Sequence, residues 1–254
     1  MKCILNIYKK TGETPLETIN RLRADKPEYQ NAKITYAGRL DPLAKGALIL
    51  LAGDAVYEKE KYLKLDKEYE AEILFGFETD TYDILGLPKK NRKIEDFKKE
   101  KLAESLKIFI GTNKMPFPPY SSYKIKGKAL FEWARAGKIK EIKIPEKERE
   151  IYKIKILHLY KIAGKNLLAQ INKKIKKVKG DFRQREILKQ WDKILKNKLS
   201  IEFQTVKIKI ECSSGTYVRA IAHKLGQNLK SGAVLLGLRR TKIGGFDIKS
   251  SLRI

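Results

Sequence analysis

Three side chains set far apart along the chain could carry chemistry: the carboxylate of Asp41, the phenol of Tyr69 and the guanidinium of Arg219. A carboxylate or a phenol can serve as nucleophile or proton acceptor, and an arginine can hold a carboxylate ionised where water is excluded. Each also has an ordinary structural reading. Asp41 precedes Pro42 in a segment flanked by Gly38 and Gly46, where an Asp is first of all a turn residue. Tyr69 could face the core from a strand, and Arg219 could belong to a structural ion pair. Residue type and spacing alone leave these alternatives open. Metal and redox chemistry are narrowed further. The two histidines, His158 and His223, are distant and lack a neighbouring cysteine pair, so no metal site is expected. Cys3 and Cys212 cannot make a disulfide framework.

Charge points to the partner. Lys and Arg number 56 against 30 Asp and Glu, a net +26. Such an excess suits a polyanion, whose condensed counterions are released on binding; a generally lysine-rich surface is the blander explanation. The charge is also concentrated. Residues 165–198 hold twelve basic and three acidic side chains. Lys173, Lys174, Lys176 and Lys177 lie there, and Ile187, Leu188, Trp191, Ile194 and Leu195 recur at the spacing of an amphipathic helix. This segment reads either as a basic helix touching RNA or as a solvated helix packed by its Trp. The longest apolar run, residues 47–52, is strand-sized, and the N-terminus turns polar too early for a signal peptide. A cytoplasmic protein with no membrane partner is expected.

The elements that must position these residues can be read in outline. Residues 3–8 and 46–52 have the pattern of strands, and 68–75 alternates polar and apolar side chains. Thr14-Pro15-Leu16-Glu17 predicts a helix start with Thr14 as its cap, running to about residue 24. Residues 34–43 read as a loop, 54–63 as a helix capped by Asp54, and 79–86 as turn-rich. Helices are predicted over 94–109, 128–136 and 218–229, and strands over 151–162 and 201–212; a short polar link and residues 234–240 follow the last helix. Pro116, Pro118 and Pro119 argue against regular structure there. Without regular strand–helix alternation, the pattern predicts an α+β fold with a mostly antiparallel sheet.

Five ordered blocks then carry a resemblance. Gly38-Arg39-Leu40-Asp41-Pro42-Leu43-Ala44-Lys45-Gly46 resembles the G-x-L-D-P-x-A-x-G loop of TruB-type pseudouridine synthases. Lys9-Lys10-Thr11-Gly12 is similar to the family's K-P-x-G entry. Lys67-Glu68-Tyr69, Gly76, Thr79-Asp80-Thr81, Asp83 and Gly86 match its K-x-Y…G-x-x-T-D-T-x-D…G block. Tyr120-Ser121-Ser122-Tyr123-Lys124, Gly127, Ala134-Arg135 and Gly137 are similar to Y-S-A-x-K…G…A-R-x-G. Cys212-Ser213-Ser214-Gly215-Thr216-Tyr217-Val218-Arg219 and Leu238-Arg239-Arg240-Thr241 match C-S-x-G-T-Y-I-R and L-R-R-T.

The resemblance implies the pseudouridine synthase fold, a mixed, mainly antiparallel sheet flanked by helices around a central RNA-binding cleft. It implies one catalytic domain over 1–254, with 165–198 as a basic insertion. It implies an isomerase that acts on tRNA, at the T-arm loop uridine (position 55), with no cofactor, since the reaction needs neither an energy source nor a redox partner. Asp41 is implied as the catalytic residue and Arg219 as its partner. Tyr69 is set against a flipped base, as a stacking surface and a candidate proton acceptor, with Tyr217 and Leu238 completing the pocket; Lys9 and Tyr36 are further substrate-binding candidates. There are departures. Tyr36 stands where the family usually has His, so contacts to the RNA loop are expected to differ. Met115-Pro116-Phe117-Pro118 replaces the usual Q-x-P-P. No C-terminal PUA domain of the kind many relatives carry is expected, and the basic insertion is expected to supply some of that affinity. A monomer working without guide RNA is expected; the rival readings are a tRNA folding chaperone with little turnover, a guide-dependent synthase and a non-catalytic RNA-binding module.

Overall fold

The computed structural model describes residues 2–89 and 95–254. In chain order the elements are β1 (Lys2–Lys9), α1 (Pro15–Asp25), β2 (Ile34–Ala37), β3 (Lys45–Gly53), α2 (Lys59–Leu63), β4 (Lys67–Phe75), α3 (Lys99–Lys107), β5 (Gly111–Pro116), β6 (Lys124–Ile125) and β7 (Lys128–Ala129). Then follow α4 (Leu130–Arg135), β8 (Glu146–Ala163), α5 (Gly164–Ile175), α6 (Gln184–Leu195), β9 (Glu202–Cys212), α7 (Val218–Asn228), β10 (Ala233–Ile243) and β11 (Phe246–Asp247). One sheet holds the molecule together, in the order β1-β3-β10-β4-β9-β8-β5, with β2 added to β3 and β11 to β10. Its pairs are antiparallel except β3 with β10, which run parallel through Lys45–Arg239 and Gly46–Arg240. The architecture is the α+β one expected.

Strand alternation explains why the sheet is covered on both faces. On β4, Tyr69, Ala71, Ile73 and Phe75 point into one core, where α7 adds Val218, Ile221 and Leu225, and α3 adds Leu102 and Leu106. Leu74, from the opposite face, joins a second core with Phe77, Phe203, Val234 and Leu236. That second core is closed by the basic segment itself. Leu167, Ile171 and Ile175 on α5, and Ile187, Trp191 and Leu195 on α6, are buried there, and the Trp191 indole donates to the Ile84 carbonyl at 3.0 Å. Residues 165–198 therefore form an amphipathic helical hairpin that belongs to the core while showing its charges to water.

The Thr14 cap forms as read: its hydroxyl accepts from the Glu17 amide, and the Glu17 carboxylate accepts from the Thr14 amide at 2.6 Å. Other expectations need correction. Residues 34–37 form β2, because the edge of β3 offers a partner that the local pattern does not reveal. Pro116 ends β5 opposite Glu146; β5 is the outermost strand, where a missing amide donor is tolerated. Residues 54–58 make a 3-10 turn ahead of the short α2, and Asp54 does not cap it. The helix predicted over 94–109 is confined to Lys99–Lys107, with Ile94 outside the described residues. The helix predicted from 128 begins at Leu130, after a two-residue strand.

Candidate active site

The loop between β2 and β3 carries Asp41, and two buried cations hold it from below. Lys9 is fully buried, and its ammonium donates to the carbonyls of Ala44 (2.6 Å), Lys10 (3.1 Å) and Pro42 (3.4 Å). Arg240, also buried, donates to the carbonyls of Ala47 (2.8 Å) and Gly38 (3.2 Å). Burial costs Lys9 so much of its charge stabilisation that its pKa falls to about 7. Gly46 sits where a Cβ would lie 2.2 Å from the Arg240 carbonyl, at a φ of +113°, so only glycine lets β3 approach β10 here.

Above the loop, Arg219 opens α7 and meets Asp41 across 178 residues of sequence. Its Nε donates to Asp41 Oδ2 at 2.7 Å and its Nη2 to Oδ1 at 3.3 Å, a two-pronged grip. The remaining donors reach the carbonyls of Thr81 (2.7 Å) and Tyr120 (3.4 Å), and Asp83 lies 3.8 Å away. Burial alone would lower the Arg219 pKa, but Asp41 and Asp83 outweigh it and raise it. Asp83 is buried too, and its pKa is pushed up to about 6 by burial and by Asp41, against the pull of Arg219 and a 2.7 Å hydrogen bond from Thr81.

These groups sit in a cleft of about 850 Å³. Tyr69, Tyr217 and Leu238 form its apolar wall beside Asp41. Tyr69 pairs with Arg240 across β4 and β10; burial raises its pKa, against the opposing charge of Arg240. Burial also raises that of Tyr217, whose ring meets Phe117 edge-on at 5.7 Å. Tyr36 stands at the rim, its hydroxyl accepting from Arg39 at 3.1 Å. Arg39, Arg135, Lys147 and Arg149 add positive charge to the lining.

The structure thus gathers Asp41, Tyr69, Tyr217, Arg219, Leu238 and Tyr36 into one cleft. Two expected substrate contacts are corrected. Lys9 cannot reach a substrate, because its ammonium is consumed beneath the loop. Lys174 is half-buried, donates to the Leu236 carbonyl at 2.9 Å and pairs with Glu72, so it braces the hairpin against the sheet. Lys173, Lys176 and Lys177 are exposed and remain available. The sequence reading assigned no role to Arg240 and Asp83, although both lay inside quoted motif blocks. Asp181, Phe182 and Arg183, at the tip of the basic hairpin, also line the cleft; the charge concentration over 165–198 marked their segment, but nothing singled out these residues.

Comparison with known proteins gives the family. The family described as TruB family pseudouridylate synthase (N terminal domain) matches residues 26–182. The chain is 28% identical over 254 residues to the tRNA pseudouridine synthase B of Caldicellulosiruptor saccharolyticus, covering 100% of this chain and 71% of that protein. It is 32% identical over 250 residues to the enzyme of that name from Endomicrobium trichonymphae, covering 98% and 88%. Among solved structures, a chain in the crystal structure of a Cbf5-Nop10-Gar1 complex superposes with a TM-score of 0.61 at 19% identity, over 99% of this chain and 52% of that one. A chain in the structure of an H/ACA RNP bound to a substrate RNA containing 2'-deoxyuridine gives 0.58 at 18%, over 98% and 50%. This chain spans about half the length of both, and the likeness at that identity is one of fold.

Proposed function

The chain belongs to the TruB family of pseudouridylate synthases, an enzyme of tRNA pseudouridylation, and from that premise we propose that it isomerises the T-arm loop uridine of tRNA without a guide RNA. The observation that carries this reading is the Asp41–Arg219 pair on the floor of a cationic cleft, with Tyr69, Tyr217 and Leu238 beside it. A uridine inside a folded loop must leave its stack to reach Asp41, and aromatic and apolar side chains are the usual surface for an extruded base. Asp41, aimed by the Arg219 fork, attacks the nucleotide. The bond from C1′ to N1 of the base then breaks, the base turns, C5 bonds to C1′, and the bond to Asp41 is released with its electron pair returning to the carboxylate. The C5 proton departs and N1 gains one, so atoms balance with no external reactant. Tyr69 keeps its phenol neutral because burial raises its pKa, which favours stacking over proton removal. Arg39, Arg135, Lys147 and Arg149 meet the phosphates around the extruded nucleotide.

The test is tritium release from C5-labelled uridine in guide-free tRNA, with the T-loop uridine replaced by cytidine as control. Release that requires the T-loop uridine and disappears in Asp41→Asn while tRNA still binds supports the proposal. No release, release from the control tRNA, or normal turnover in Asp41→Asn overturns it.

A further inference from the structure

The turn between α5 and α6 lies outside every motif block, yet it delivers a guanidinium to the cleft. Arg183 adopts the left-handed conformation (φ +60°, ψ +28°) at the start of α6. A non-glycine residue there is held against its preference by roughly 1 kcal/mol or more, and the turn around it is correspondingly well bonded. The Gln184 amide donates to the carbonyls of Gly180 (2.6 Å) and Val178 (3.1 Å) and accepts from the Phe182 amide at 2.9 Å. The result is that the Arg183 side chain points inward. Its Nη1 meets Asp80 Oδ2 at 2.9 Å, and its guanidinium lies 4.5 Å from the ring centre of Tyr120.

Both partners continue to Arg219. The Tyr120 carbonyl accepts from Arg219 Nη2. Asp80 accepts from the Leu87 amide at 2.8 Å, which closes the turn whose Thr81 carbonyl accepts from Arg219 Nη1 at 2.7 Å. Two of the donors that fix the plane of the Arg219 fork therefore end on segments that Arg183 clamps together. A second tie runs from Arg135 to the Asp181 carbonyl at 2.6 Å.

We infer that Arg183 is a positioning residue for the proposed isomerisation: it fixes the Asp80 turn and Tyr120, and through their carbonyls the orientation of the Arg219 fork on Asp41. The inference rests on the function proposed above. It also gives the hairpin a task in the chemistry, whereas the sequence alone had suggested only affinity for RNA.

The test compares Arg183→Asn, Arg183→Lys and Asp80→Asn, alone and combined. Asparagine is chosen because it tolerates the left-handed backbone. The inference expects Arg183→Asn to lower the single-turnover rate at saturating enzyme about tenfold, with tRNA Kd within about twofold, because misaimed groups cost rate more than binding. Arg183→Lys keeps the charge facing Asp80 without the planar stack and should recover part of that rate. Asp80→Asn combined with Arg183→Asn should be no slower than the worse single variant, since both break one linkage. A raised Kd with unchanged rate would make Arg183 a phosphate contact and overturn the inference, as would additive losses or a melting shift with normal rate. If Arg183→Asn does not fold, Asp80→Asn and Arg183→Lys carry the same comparison. Wild-type protein that makes no pseudouridine would sink the proposed function; wild-type turnover matched by the Arg183 variants would sink this inference alone.

Discussion

Replacing Arg219 by lysine separates charge from geometry at Asp41. Lysine keeps a positive charge near both carboxylates but offers a single ammonium on a flexible stem. The guanidinium makes four hydrogen bonds: two to Asp41 and one each to the carbonyls of Thr81 and Tyr120. An ammonium reaching Asp41 from the same backbone position keeps one of these and loses the flat fork, so about three bonds go. At about 1 kcal/mol net for each, the loss is roughly 3 kcal/mol, or about a hundredfold in rate if it falls on the transition state. Single-turnover tritium release at saturating Arg219→Lys enzyme, alongside its melting temperature, reads this directly. Arg219→Ala should in addition destabilise the fold by about 3–5 kcal/mol, because it strands buried Asp83 without its cation. A folded Arg219→Lys enzyme within threefold of the wild-type rate would mean that charge alone suffices and that the fork has no role in aiming Asp41.

At Tyr69, a stacking role predicts that Tyr69→Phe keeps its rate within about threefold while Tyr69→Leu loses tenfold or more; a severe loss in Phe would return the hydroxyl to the chemistry. Asp83 has a folded pKa of about 6, above its ordinary 3.8, so the stability it contributes is full below pH 3.8 and is lost as pH rises through 6. Urea unfolding of wild type against Asp83→Asn should therefore show wild type losing up to about 3 kcal/mol relative to the variant between pH 4 and 7, and a flat difference would contradict the buried ionisation. Changing exposed Lys173, Lys176 and Lys177 together to Gln should flatten the salt dependence of tRNA binding by about 2 to 3 units in log–log slope, since each neutralised phosphate contributes roughly 0.7–0.9. An unchanged slope would make the outer face of the hairpin an idle surface. Lys174→Gln, by contrast, should lower the melting temperature and leave the slope alone.

Much of the fold was legible because local rules and tertiary demands agree. The alternation of β4 is enforced by cores on both faces, and the Thr14 cap is a contact within four residues. The candidate site was legible through motif blocks, but the reading stopped where burial decides. A lysine looks the same in sequence whether it faces phosphate or three carbonyls, which is why Lys9 and Lys174 were misread. Within 165–198 the charges obscured a second apolar stripe, Leu167, Ile171 and Ile175, so only one of the two helices was recognised. β2 escaped because four residues carry too little periodicity, and its partner β3 supplies the pairing. Arg183 was invisible for a different reason: its two partners lie 103 and 63 residues upstream, and only the packed hairpin brings them within reach.

The position of β10 bears on the order in which the protein can be assembled. It lies between β3 and β4, although it is synthesised after every other strand of the sheet except β11. Until it arrives, the strand that leaves the Asp41 loop has no neighbour on that side at Lys45 and Gly46, and Arg240 is not there to grip the loop. A growing chain that has already made Asp41, Tyr69 and Arg219 still lacks the floor of its cleft. Closing the sheet around such a late, non-local strand is intrinsically slow, and the cleft gains its floor only once β10 has been made and inserted between β3 and β4.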